Sequence, residues 1–147
     1  MASALGKDGH RFSIFTDDES VKSRLDVDFV SFGAMSNGKT IDVFENESND
    51  LATFDTSNLF FVSKKTGQPL CAFRPDRDYG IILKIHPAQF PKRTWIACAG
   101  LGETGTSGSA WFLSHKWRDL ERKFRGKEQF VAVIELRKDE DESARLL

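Results

Sequence analysis

Apolar and polar positions divide the chain into short strand-like runs and one long helical stretch. Residues 11–15 (RFSIF) alternate well enough for a short strand, and 16–23 read as a brief helical turn capped by Thr16. Residues 27–33 (VDFVSFG) and 51–55 (LATFD) read as further strands. The runs at 58–63 and 69–73 read as the arms of a β-hairpin around the turn 64–68, where Gly67 allows the reversal. Residues 79–85 (YGIILKI) and 95–99 (WIACA) are continuous apolar runs, which suit strands buried on both faces. Trp111, Phe112, Leu113, Trp117, Leu120 and Phe124 then recur at helical spacing, in a stretch that stops at Gly126. Residues 129–136 (QFVAVIEL) make the last strand. This order predicts an α/β fold: a single domain over 11–137 with a central sheet, a β-hairpin insertion and few covering helices. Residues 1–10 read as a flexible lead-in and 138–147 as a charged C-terminal tail.

Composition narrows the function classes. The chain has 147 residues and a net charge of −1, which suits one domain with a real core and gives no global basic field, so a nucleic-acid partner is not favoured. No apolar run approaches the roughly 20 residues that span a bilayer, and residues 1–10 lack a signal-peptide core, so the expected location is the cytoplasm, with no membrane partner. Cys71 and Cys98 sit in apolar runs and read as buried thiols. His10, His86 and His115 lack the spacing of a metal site, so none is expected.

The candidate chemistry lies in the loop between the 95–99 strand and the long helix. Gly100, Gly102 and Gly105 satisfy G-x-G-x-x-G in its required strand–loop–helix context. Such a loop brings backbone N–H groups close to a ligand, and the helix start adds unpaired donors and partial positive charge. Thr106 and Ser107 add hydroxyls. A structural reading stands beside this one: Ser107 as helix N-cap, with small residues letting the helix sit close to a sheet. The acidic residue that completes a dinucleotide fingerprint has no match at the usual spacing; Glu135 is the nearest candidate but lies too far along.

A second strand–loop–helix junction occupies 33–40. Ser36 or Asn37 can cap a short helix carrying Ile41, Val43 and Phe44, although Asn37-Gly38 also fits a hairpin turn. Residues 33–40 match G-x-x-x-x-G-K-T, which would put Lys39 on phosphates and Thr40 on Mg²⁺. The following helix is short, and no strand ending in a magnesium-binding Asp follows, which argues against a complete NTPase core. Glu103 and Asp78 are the carboxylates placed to act as general acid or base beside such a ligand.

The segments DFVSFGAMSN at 28–37, KTG at 65–67, DYGIILK at 78–84, WIACAG at 95–100 and GTSGSA at 105–110 resemble a group of uncharacterised prokaryotic Rossmann-like modules over roughly 11–137. The glycine loop alone is similar in style to SLOG-type domains. That second resemblance implies sensing or processing of nucleotide-derived ligands; the first implies a single Rossmann-like three-layer α/β domain with a central, mostly parallel sheet and a β-hairpin insertion, and no particular activity. The leading expectation is a domain that binds a phosphorylated or nucleotide-like small molecule, with Gly100, Gly102, Gly105, Thr106 and Ser107 around the anion and Ser36 and Asn37 facing it. The alternatives are a nucleotide-processing hydrolase or N-glycosidase using Glu103 or Asp78, and a ligand-free homodimer joined through the Trp111/Trp117 helix or the hairpin edge. The sequence identifies no cofactor.

Overall fold

A computed structural model of the chain describes residues 25–147; the strand and turn expected over 11–23 lie outside them. The elements are β1 (Phe29–Phe32), α1 (Gly38–Glu45), β2 (Ala52–Asp55), β3 (Phe60–Ser63), β4 (Asp78–Ile85), β5 (Trp95–Gly100), α2 (Glu103–Lys123), β6 (Phe130–Leu136), a 3₁₀ turn (Asp141–Ser143) and β7 (Arg145–Leu146).

The apolar run that forms β5 sits inside a five-stranded sheet of order β1-β5-β4-β6-β7. Trp95 anchors it: the ring is buried, packs 4.9 Å from Phe29, and its indole N–H donates to Val27 O at 3.0 Å. β1 runs parallel to β5, with Phe32 opposite Cys98. Every other pair is antiparallel: β4 with β5, β4 with β6, and β6 with β7. This overturns the expected Rossmann-like three-layer domain with a mostly parallel sheet. The cause is the link between β4 and β5. A parallel crossover takes a dozen or more residues, usually a helix, whereas residues 86–94 form a short loop with two prolines, so β5 must return antiparallel beside β4. β6 reaches the far side of β4 through α2.

Alternation along the strands divides the core into two faces. Ile81, Leu83, Ile85, Trp95, Ala97 and Ala99 point to the side covered by Val43 and Phe44 of α1 and by Ala52 and Phe61 of the small strands. Ile82, Cys98, Ala132, Ile134 and Leu136 point to the side covered by Phe112 and Leu120 of α2. Burial pushes the Cys98 thiol up to about 12, so it is an inert core residue.

The expected hairpin is also redrawn. β3 pairs antiparallel with β2, and the turn at 64–68 does close, with Gly67 at φ 72° and its N–H donating to Ser63 O. The second arm, however, meets β3 in a single bridge, Val62–Pro69, flanked by hydrogen bonds from Leu70 N–H to Phe61 O and from Ser63 N–H to Gln68 O, and does not continue as a strand. The charged tail folds back: Leu146 lies opposite Ile134, and Leu147 N–H donates to Val133 O.

Candidate functional site

The parallel pair β1–β5 brings the two predicted loops to the same end of the sheet. Gly33, just beyond β1, donates its N–H to Cys98 O of β5 at 3.1 Å, so the 33–37 loop and the 100–105 loop leave from neighbouring strand ends. Their helices then diverge, α1 to one face and α2 to the other. Asp78, at the start of the antiparallel β4, reaches the same end; its Oδ2 lies 3.8 Å from where a side chain on Gly102 would begin. Ser36, Asn37, Asp78, Gly100, Gly102, Glu103 and Gly105 therefore occupy one end of the sheet.

The donors are distributed less openly than the motif implies. Gly100 N–H donates to Thr106 Oγ1 at 2.9 Å, and Leu101 N–H to Tyr79 O. Ser107 lies inside α2, and its hydroxyl donates to Asp141 Oδ1 at 2.8 Å, so it neither caps the helix nor faces the 33–37 loop. Asn37 is the cap of α1: its Oδ1 accepts from Lys39 and Thr40 N–H and its Nδ2 donates to Phe32 O. α2, by contrast, starts at Glu103 after an extended Gly102 that makes no side-chain cap. The first-turn N–H groups of Glu103, Thr104 and Gly105 have no i−4 helical acceptor.

The glycines have a packing role. A methyl group on Gly105 would run into the Tyr79 carbonyl, and one on Gly100 into the backbone of Gly102, Gly105 and Thr106. On the facing strand, Gly80 meets the Gly105 carbonyl and the Ser109 hydroxyl, and Gly108 seats against Leu136. The first turns of α2 thus lie backbone to backbone on β4 and β5. Of these positions, only Gly102 has room for a side chain.

The Gly-Lys-Thr match resolves into structure as well. Thr40 has no exposed surface; its Oγ1 donates to Gly33 O at 3.1 Å and lies 3.0 Å from Ser31 Oγ. Lys39 Nζ sits 5.0 Å from the Phe29 ring centre and 3.9 Å from Asp42. The threonine hydroxyl is turned into the protein, where a metal ion has no access. Thr40→Val should cost about 1–3 kcal/mol, the range for leaving buried hydrogen-bonding groups without a partner. Chemical denaturation would check this, and a stability-neutral variant would contradict the assignment.

One cluster was not anticipated as a unit. Glu135, on β6, is 4% exposed. Its Oε1 accepts from Arg145 Nη2 at 2.6 Å and Nε at 3.1 Å, and Arg77 Nε lies 3.8 Å away. Burial alone would raise this carboxyl, but the hydrogen bonds and charge of Arg145, with the nearby Tyr79 hydroxyl and the charge of Arg74, hold it below the ordinary value. Tyr79 is buried beside it, raised first by burial and then by the Glu135 carboxylate. Its hydroxyl has no hydrogen-bond partner of good geometry. Cys71 is raised by burial and by the Glu135 charge. The available signal was a lone acid inside an apolar strand, VIEL, since a buried glutamate needs a partner.

Among the described residues, no group of three or more His, Cys, Asp or Glu side chains is gathered for a metal, and no helix is long and apolar enough to cross a membrane. Comparison with protein-family models, curated proteins and solved structures gave no match.

Proposed function

We propose that this domain binds a small phosphorylated, nucleotide-like molecule at the sheet end where β1 and β5 finish side by side. The observation that carries the reading is the divergence of α1 and α2 to opposite faces from two adjacent parallel strands. In open α/β sheets, ligands bind in the crevice outside the strands' carboxyl ends at such a reversal. The anion would sit on the uncapped first turn of α2, at the N–H groups of Glu103, Thr104 and Gly105, where the helix dipole favours negative charge. Ser36 would approach from the 33–37 loop. Asp78 and Glu103 beside this turn would accept hydrogen bonds from hydroxyl or amino groups. The combination therefore suits a ligand carrying both an anion and donors, as a nucleotide does.

Gly102→Ser separates the site from the fold. At φ −145° and ψ −176° the backbone is extended and accepts a side chain, and a serine there can cap the helix, with a gain of a few tenths of a kcal/mol over glycine. The same hydroxyl would compete for the first-turn donors. The expected result is an unchanged or slightly raised melting temperature with weakened binding of AMP, read by calorimetry against adenosine as control. Equal AMP affinity in the variant and the original chain would overturn the placement. Failure of AMP, ADP and pyrophosphate to raise the melting temperature of the original chain, as bound ligand must, would overturn the reading itself.

A further inference from the structure

At the same end of the sheet, a cavity of about 200 Å³ is lined by Arg77, Glu135, Leu136, Arg137, Ser143 and Arg145. We propose that this cavity is a second, independent anion site, taking a small phosphate dianion between the guanidinium groups of Arg77, Arg137 and Arg145. The three arginines come from three parts of the chain: the lead-in to β4, the exit of β6, and β7. They are brought together by the register Tyr79–Glu135–Arg145 across β4, β6 and β7. Their charge is incompletely balanced inside the cavity. A single oxygen, Glu135 Oε1, accepts from Arg145 Nε and Nη2 and faces Arg77 Nε.

The remaining carboxylate partners stand outside the lining. Arg137 pairs with Glu140 at 2.7 Å and Arg77 with Asp76 at 3.6 Å, and both acids are more than half exposed. Exposed pairs of this kind contribute little, so a dianion can displace them. Each guanidinium carries five N–H donors in a planar fork. Arg145 directs only its Nε and Nη2 at Glu135, which leaves donors for the bidentate geometry that arginine makes with phosphate. Ser143 fixes the frame: its hydroxyl accepts from Arg137 N–H at 2.8 Å and donates to Glu140 O at 2.7 Å.

The test is isothermal titration of the full chain with inorganic phosphate, against chloride at equal ionic strength. Saturable phosphate binding is expected, weakened roughly tenfold or more in Arg137→Gln and in Arg77→Gln, since a charged hydrogen bond is worth at least about that factor. Arg118→Gln, on the outer face of α2, should bind as the original chain does. Far-UV circular dichroism identifies any variant that has not folded, and the second variant then decides. Binding retained in both variants, or a response that chloride reproduces, overturns the proposal. Loss of phosphate binding in Gly102→Ser but not in Arg137→Gln assigns the phosphate to the β1–β5 crevice, and so also overturns this site while sparing that one.

Discussion

Replacing Gly105 by alanine is expected to lower the stability of the fold by about 3 kcal/mol, the upper part of the usual range for overpacking. Helix propensity alone predicts the opposite sign, because alanine in place of glycine inside a helix gains about 1 kcal/mol. Packing wins because the added methyl meets backbone, the Tyr79 carbonyl and Gly100 Cα, and neither can swing aside as a side chain could. In a domain of this size the loss corresponds to a fall of roughly 10 °C in melting temperature. Gly102→Ala is the control: that position is open apart from an ordinary contact with Asp78, so the expected cost is only that of alanine's poorer capping, about 0.5–1 kcal/mol. Thermal and urea denaturation of the two variants checks the pair. A stabilised Gly105→Ala would refute the close seating of α2 on β4 and β5.

Arg145→Ala is expected to cost about 2–3 kcal/mol at neutral pH, somewhat less than the 3–5 kcal/mol typical when one partner of a fully buried pair is removed. The discount has two causes: the Arg145 side chain is 63% exposed, and Arg77 still faces the carboxylate. The side chain of the glutamate left behind is only 5% exposed. The pH dependence follows from the direction of its shift. Glu135 has a folded pKa below its unfolded value, so its ion pair contributes fully above about pH 4 and is lost as pH falls through the lower folded value. The gap between the original chain and Arg145→Ala should therefore narrow below about pH 4. Glu135→Gln in the variant background should recover part of the loss, because a neutral amide needs no counter-charge. Urea midpoints between pH 3 and 7 decide the matter; a gap constant across that range would argue that Glu135 is not held by Arg145.

The elements that depend on local pattern were legible in the sequence. The apolar runs of β4, β5 and β6, the long α2 with Trp111, Phe112 and Leu120, and the Asn37-capped α1 all follow from periodicity and capping chemistry. The apolar runs point to a parallel sheet, but the short 86–94 link, rather than the apolarity of β5, sets strand direction and makes β4–β5 antiparallel. That β3 pairs along its length with β2, and with the 69–73 arm only through one bridge, is not legible, because strand pairing is a non-local choice. At the candidate site, the two strand–loop–helix junctions are readable from the sequence, and the pairing of β1 with β5 sets their strand ends side by side. The use of the glycines for contact with Gly80 and Tyr79 was not, since those residues lie on another strand. The arginine cavity was the least legible: Arg77 is far from Glu135 and Arg145 in the chain, and only the sheet register brings the three together.

The crevice reading requires a short set of amides to feel the ligand first. An ¹H–¹⁵N correlation spectrum of the chain titrated with AMP measures this directly. Saturable shifts at the amides of Glu103, Thr104 and Gly105, accompanied by Ser36, are the predicted result. If those four amides stay in place at an AMP concentration that saturates binding elsewhere on the chain, the crevice between β1 and β5 is not the ligand site.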